Sequence, residues 1–311
     1  MYDVAFVGNY TKDTIVSAAG TRVVDGGAFN YGAHVAAHMG LRVAAVTRLA
    51  QEDYHVVEEL RGLGVDVFVC TTPQSTCLRL EYPTSNVDER TITVESTAGS
   101  FTPAQVQDVQ ARAFVVGPSL RGEVGLDVIE ALGRGRAAVE QAALGRDASP
   151  APALPGRCAL LAADVQGFVR VVREGRMVYE VWPEQETILS HLDVLKTDAV
   201  EAEMLTGTAD IRAAAQMLAA LGPREIVLTH RNGVLVYAGG EFHEAGFFPE
   251  RLVGRSGRGD TCLAAYVARR LAFPPAEATR WAAAVTSLKM EAEGPFRRDI
   301  GEVERYLDRY H

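Results

Sequence analysis

Apolar positions along this chain fall into short unbroken runs that alternate with stretches of helical spacing. Residues 4–7 are apolar and end at Gly8-Asn9, as a buried strand does where it enters a loop. Residues 13–24 alternate more loosely and predict one or two half-exposed strands. Gly26-Gly27 then breaks the chain before a helix predicted over 28–39. Further runs predict strands at 43–47, 66–70, 114–116, 159–163, 194–195 and 226–228, with helices at 52–63, 125–132, 201–206 and 210–221. Strands alternating with helices imply an α/β fold with a parallel sheet and right-handed crossovers. Residues 234–236 and 241–247 read as antiparallel additions at one edge. Two last helices, 275–293 and 301–310, cover the sheet, with Trp281, Val285 and Leu288 on the inward face of the first.

Between Cys77 and Glu95 the pattern changes. Leu78, Leu80 and Tyr82 alternate with polar residues, Asn86-Val-Asp-Glu marks a turn, and residues 91–95 alternate again. A hairpin with one apolar and one wet face does not belong inside a parallel core, so it is expected to stand apart as a flap. The stretch 133–156 is rich in Ala, Arg, Gly and Pro and reads as an elaborated surface connection.

The candidate chemistry centres on Gly254-Arg255-Ser256-Gly257-Arg258-Gly259-Asp260-Thr261. An apolar helical run follows, with Leu263, Val267 and Leu271 on one face. Two glycines one residue apart let the backbone turn sharply and leave its N–H groups open at the positive end of a helix, a site for phosphate. Asp260 stands in the first helical turn. It either stabilises the helix start or takes a proton from a hydroxyl while the N–H groups hold the phosphoryl group under attack. Other polar residues fall at the carboxyl ends of predicted strands, where open α/β sheets bind ligands: Asn9 and Asp13, Asp164, Lys196 and Asp198, and Thr229.

Composition narrows the partners. The formal charge of −9 argues against nucleic acid or an anionic membrane. Only three of the 31 basic residues are lysines, Lys12, Lys196 and Lys289, which reads as compositional bias. Four scattered cysteines form no metal-ligand spacing, and no basic leader precedes the first strand, so a reduced, cytoplasmic protein is expected. Neither Gly-x-x-x-x-Gly-Lys-Ser/Thr nor an early Gly-x-Gly-x-x-Gly occurs, which sets aside a P-loop kinase and a dinucleotide-dependent dehydrogenase.

Taken in order, these pieces resemble the ribokinase (PfkB) family of sugar and polyol kinases over nearly the whole chain. The family's C-terminal Asp-Thr-x-Gly-Ala-Gly-Asp is similar to Gly254–Asp260; Gly26-Gly27 precedes the first long helix, and Asp13 matches an early substrate-contacting Asp. Lys196-Thr-Asp198-Ala-Val-Glu201 resembles a segment associated with Mg²⁺ and phosphate, and Thr229-His-Arg231-Asn-Gly233 resembles a nucleotide-binding turn. Val7-Gly8-Asn9-Tyr10 and Asp164-Val-Gln166-Gly-Phe-Val-Arg170 look like the inositol-kinase branch.

The resemblance implies a Rossmann-like three-layer αβα domain over 1–311 with a mostly parallel sheet and a small β lid formed by about 13–25 and 71–97. It implies transfer of the γ-phosphoryl group of ATP, with Mg²⁺, to a hydroxyl of an inositol-like polyol or sugar, and a possible homodimer through the lid. Nucleosides or other sugars are alternative acceptors, and a non-catalytic binding regulator is an alternative function. Asp260, Gly257, Arg258 and Gly259 would be catalytic. Asn9, Asp13, Gly26, Gly27, Asn30 and Gln166 would meet the acceptor. Lys196, Thr229, Arg231 and Gly233 would meet the nucleotide, and Asp198 and Glu201 the metal. The chain departs from the family at Gly254, which removes a carboxylate that helps monovalent-cation binding in many relatives. Arg258 replaces Ala, Ala283 replaces an Asn usual near adenine, Tyr31 stands where Asn is usual with Asn30 beside it, and Asp198 replaces Asn.

Overall fold

A computed structural model describes residues 1–18, 20–84, 90–134, 160–254 and 256–310. Nine strands form one sheet: β1 (Tyr2–Val7), β4 (Val43–Leu49), β5 (Asp66–Thr71), β8 (Ala111–Val116), β9 (Leu160–Asp164), β12 (Val194–Asp198), β13 (Glu225–His230), β14 (Gly233–Ala238) and β15 (Glu241–Gly246). Their order is β15-β14-β13-β12-β9-β8-β1-β4-β5, parallel except for the antiparallel edge of β14 and β15. From β1 the chain builds outward through β4 and β5, then returns to the other side of β1 for β8, β9, β12 and β13. That reversal puts the ligand crevice beyond the carboxyl ends of β1 and β8.

Helices cover both faces because every central strand is apolar on both. In β1, Val4 and Phe6 pack with α1 (Ala28–His38), α2 (His55–Gly62), α8 (Arg258–Arg270), α9 (Pro275–Met290) and α10 (Ile300–Tyr310). Ala5 and Val7 pack on the opposite face with residues of a helix over 126–134 (α3), α4 (Gln166–Val169), α5 (Gln185–Leu189), α6 (Ala199–Thr206) and α7 (Ile211–Ala219). Contact between α1 and the sheet is close enough that a Cβ on Gly32 would fall 2.3 Å from the Phe6 ring.

A second sheet of six strands runs β10-β11-β7-β6-β2-β3. It joins β2 (Thr11–Ser17), β3 (Gly20–Gly26), β6 (Thr76–Glu81) and β7 (Thr91–Ser96) with β10 (Arg170–Arg173) and β11 (Arg176–Tyr179). The first four overlap the stretches 13–25 and 71–97 expected to form a lid. The last two enlarge it, because Glu174 and Gly175 both take positive φ, 50° and 78°, and close a two-residue hairpin loop. Expected helix 52–63 is also divided, a 3₁₀ turn at Gln51–Asp53 preceding α2. The predicted turn at 86–89 and nearly all of the 133–156 connection lie outside the described residues.

The lid's own apolar cluster is Leu78, Leu80 and Ile92, small beside the clusters of the main domain. Local stability follows buried apolar contact, so lid amides should exchange with solvent faster than those of β1, β8 and β9. Amides in β6 and β7 should gain protection when acceptor binds. Exchange in β6 and β7 that is as slow as in β1, and unmoved by acceptor, would make this sheet a fixed wall.

Candidate functional site

The six residues expected to meet the acceptor lie in the loop after β1, on β2 and β3, at the start of α1 and on α4. Asn9 follows β1 and is fully buried; its Nδ2 donates to the Gly99 carbonyl at 2.9 Å, and its Oδ1 has no protein partner. Asp13 lies on β2 opposite Leu78, with a buried and unpartnered Oδ1. Gly26 lets β3 lie against it, since a Cβ there would come 3.0 Å from Asp13 Oδ2. Gly27 caps α1 with φ 95° and passes so near the Asn9 carbonyl that a Cβ would meet it at 2.5 Å. Asn30 donates to the Asp25 carbonyl at 3.3 Å and keeps a buried Oδ1 free of protein partners. Gln166 donates its backbone N–H to Asp164 Oδ1 at 3.0 Å and is half-buried.

Opposite them stands the glycine turn. Gly257 is the N-cap of α8 with φ 72°, a left-handed conformation, and any Cβ would strike the Tyr31 ring at 2.3 Å. A Cβ on Gly259 would come 2.6 Å from Lys196 Nζ, so that ammonium lies directly against the turn. Lys196 pairs with Asp164 at 2.9 Å, both side chains under 5% exposed. Burial works against the charge of Lys196, but the carboxylates of Asp164, Glu201 and Asp198 outweigh it and hold the ammonium protonated.

Carboxylates crowd this space. Burial pushes Asp260 up to about 6, with Asp164 adding to the rise and Lys196, Arg170 and Lys289 opposing it. Burial likewise carries Asp13 up to about 6, against the Thr11 hydrogen bond and Arg170, with Asp260 adding repulsion. Glu201 is driven by burial to about 7. Arg170, the first residue of β10, is buried among these groups with an unpartnered Nε. Arg170 carries no role in the sequence reading, although it lies in a quoted motif, and Asp164 appears there only among the polar residues at strand ends. Lys289 was equally unassigned, and its signal was the scarcity of lysine: two of the three are buried here.

Asp198 and Glu201 form a capping box at α6: Asp198 Oδ1 accepts from Glu201 N–H at 2.8 Å, and Glu201 Oε2 accepts from Asp198 N–H at 2.9 Å. Among the described residues no group of three or more His, Cys, Asp or Glu is arranged to hold a metal alone. Glu201 Oε1 is buried without a partner. One free carboxylate oxygen near the Lys196 ammonium is of the kind that suits Mg²⁺, which keeps several waters and takes one or two carboxylates plus substrate oxygens.

The turn after β13 carries three residues expected to meet the nucleotide. Thr229 is buried and donates to the Thr197 carbonyl at a long 3.5 Å. Arg231 is exposed, and Gly233 is glycine for a packing reason, since a Cβ would meet the Ala245 carbonyl of β15 at 2.3 Å. Arg258 stands at the first position of α8, close enough to act on the His230 imidazole at the end of β13.

The profile of the pfkB family carbohydrate kinase matches residues 149–297. Two solved structures are similar over the full length. A pyrophosphate-dependent kinase in the ribokinase family, complexed with a pyrophosphate analog and myo-inositol, is 32% identical over 97% of this chain and 99% of its own, with a TM-score of 0.83. A sulfate complex of a pyrophosphate-dependent kinase in that family is 33% identical with the same coverage and TM-score. This chain belongs to the ribokinase (PfkB) family. Its fold and its standing as a phosphotransferase with a hydroxyl acceptor follow from that membership. Arabidopsis thaliana ribokinase complexed with ribose and ATP is 19% identical over 98% of each chain at a TM-score of 0.73, a likeness of fold. No curated protein sequence matches. No helix among the described residues of this PfkB chain is long and apolar enough to cross a membrane, and Cys70, Cys77 and Cys262 are free thiols.

A carboxyl raised by the fold binds protons more tightly in the folded chain than in the unfolded one. For Asp260 this holds between its ordinary value of 3.8 and about 6, so its ionisation costs stability as pH rises through that window. Asp260→Asn should therefore melt at a higher temperature than wild type at about pH 8, the gain shrinking through the window and vanishing below 3.8, where the carboxyl is neutral both folded and unfolded. A variant that melts lower at the higher pH would show the carboxylate to be net favourable there.

Proposed function

We propose that this kinase transfers a phosphoryl group from a pyrophosphate-bearing donor to a hydroxyl of an inositol-like cyclic polyol. One observation carries the reading: the Asp260 carboxylate stands in the first turn of α8 beside the Gly257–Gly259 backbone and within electrostatic reach of Asp13 under the lid. Phosphoryl transfer asks the protein for positioning and charge compensation. Asp260 accepts the proton of the attacking hydroxyl, and a value near 6 keeps it ionised yet basic at neutral pH. Backbone N–H groups at Gly257, Arg258 and Gly259 receive the negative oxygens in transit, each such donor worth on the order of 3 kcal/mol.

Asp13, with its unpartnered Oδ1, orients acceptor hydroxyls; Asn9 and Asn30 offer free carbonyl oxygens, and Gln166 flanks them. Gly26 and Gly27 let the chain pass close enough to shape that side. Lys196 and Arg258 balance donor charge. Glu201 Oε1, with Asp198 behind it, would hold Mg²⁺ through water, and the bound ion would supply further neutralisation of the donor oxygens.

Inorganic pyrophosphate is the donor we favour. The relatives at 32% and 33% identity are pyrophosphate-dependent, and Ala283, where an Asn is usual near adenine, is fully buried in the core and offers no polar group. ATP is the second reading, favoured by the resemblance of the 229–233 turn to a nucleotide-binding one. A homodimer through the lid belongs to the same proposal: β3 is the free edge of the six-stranded sheet, with Val23 58% exposed.

A panel of polyols, sugars and nucleosides with Mg²⁺ and either donor decides among these. The expected result is phosphate ester formation on an inositol with pyrophosphate; turnover with ATP alone would reverse the donor choice, and none with either would leave a binding protein. Asp260→Asn should lower kcat about 10²–10⁴-fold with donor affinity near wild type, and in wild type kcat/KM should fall as pH drops through about 6. Full activity in that variant would remove Asp260 from the chemistry.

Arg258→Ala tests the donor side. Loss of a charge-assisted contact to phosphate should cost about 1.5–3 kcal/mol in kcat/KM for the donor. Kinetics equal to wild type would leave the backbone N–H groups to hold the anion without it.

A further inference from the structure

Lys289 lies in the last turn of α9 and turns its ammonium away from solvent, toward the segment that leads into the glycine turn. Its Nζ donates to the Gly254 carbonyl at 3.2 Å and to the Ser256 carbonyl. It also stands 5.4 Å from the centre of the Tyr31 ring, the ring against which Gly257 packs. The same segment is strapped to the end of α9 by Val253 N–H and Gly254 N–H, both donating to the Met290 carbonyl at 2.9 and 3.0 Å. Gly254 is buried, and a Cβ there would meet the Ala292 carbonyl at 2.5 Å. Two carbonyls converging on one point need a compact cation, since buried acceptors without a partner are costly. Lysine supplies one as a point charge on a thin stem, whereas the planar fork of arginine is a poor substitute. A chain with three lysines among 31 basic residues has spent one at this position.

We propose that Lys289 is a positioning residue for phosphoryl transfer, its ammonium pinning the Gly254 and Ser256 carbonyls so that the Gly257–Gly259 N–H groups are held ready for the anion. The inference rests on the proposed function of that site. The ammonium acts as a tethered monovalent cation, and the protein as it stands has no need of a diffusible one. Asp260 and Glu293 are the carboxylates that face Lys289, and Tyr31 covers it. Burial draws the ammonium down to about 8, against those two carboxylates.

The test is Lys289→Met, which keeps the stem and removes the charge, compared with wild type in choline, potassium and ammonium chlorides at equal ionic strength. Two readouts are taken: backbone exchange over 256–261, which needs no turnover, and steady-state kinetics. Wild type should be indifferent to the cation in both. In choline the variant should exchange faster over 256–261 and lose on the order of 10²-fold in kcat, the scale of a misplaced reacting group, with acceptor KM unchanged. Potassium or ammonium, close in size to the lost group, should restore part of both. Wild-type exchange and kcat in the variant would overturn the proposal, as would a defect that no cation relieves. Should the variant fail to fold, wild type decides: several-fold activation by potassium overturns the tether, and a flat response supports it. Absence of transfer by wild type with every donor would defeat the functional reading, while the exchange data would still judge Lys289.

Discussion

The site depends on one buried ion pair, Lys196 with Asp164 at 2.9 Å. Taking each ion out of water costs several kcal/mol, and removing one partner of such a pair typically costs about 3–5 kcal/mol because the other is left uncompensated. Neither residue stands alone. Lys196 lies against the backbone of Gly259, while Asp164 also accepts from the Gln166 N–H and bears on Asp260. Through these contacts the pair bears on the glycine turn, the start of α4 and the basicity of the proposed proton acceptor. Replacing it by apolar groups of equal volume would be tolerable as packing and fatal to the turn's charge.

The second constraint is that the charged cluster is divided between two sheets. Asp260, Lys196, Asp164 and Glu201 belong to the main domain, whereas Asp13 and Arg170 are carried by β2 and β10 of the lid sheet. Arg170 offsets carboxylates on both sides, acting on Asp13, Asp260 and Glu201. Movement of the lid would therefore change more than solvent access. It would separate Asp13 and Arg170 from the main-domain carboxylates together, and the electrostatics of the proton acceptor would follow the position of the lid.

Most of the fold was legible because its signals are local. The buried runs of β1, β4 and β5, the glycine break before α1 and the alternation in β6 and β7 are properties of a few adjacent residues. The hairpin of β10 and β11 was missed because its two-residue turn is Glu174-Gly175, without the Asn-Gly or Asp-Gly pair that advertises such turns. At the candidate site, Asp260, Asp13, Lys196 and the glycines were singled out by their predicted place at strand and helix ends. Lys289 and Arg170 were not, since each lies far along the chain from the groups it serves, and only tertiary packing brings them together. Gly233, a glycine inside a recognisable motif, is also required by the approach of β15, a packing demand that no local signal carries.

The raised carboxyls share a cause that bears on how the site works. Asp13, Asp260 and Glu201 are all pushed upward because burial, aided by neighbouring carboxylates (Asp260 on Asp13, Asp164 on Asp260, Asp198 and Asp164 on Glu201), exceeds what the nearby Lys196, Arg170 and Lys289 return. The cluster is thus held at a cost by the surrounding fold, as active sites characteristically are. A divalent cation at Glu201 would relieve it, drawing down the neighbouring carboxyls and releasing protons as it entered. A phosphoryl donor beside the turn would act on Asp260 in the opposite direction. In this arrangement the proton acceptor is tuned by the ligands it serves as much as by the protein around it.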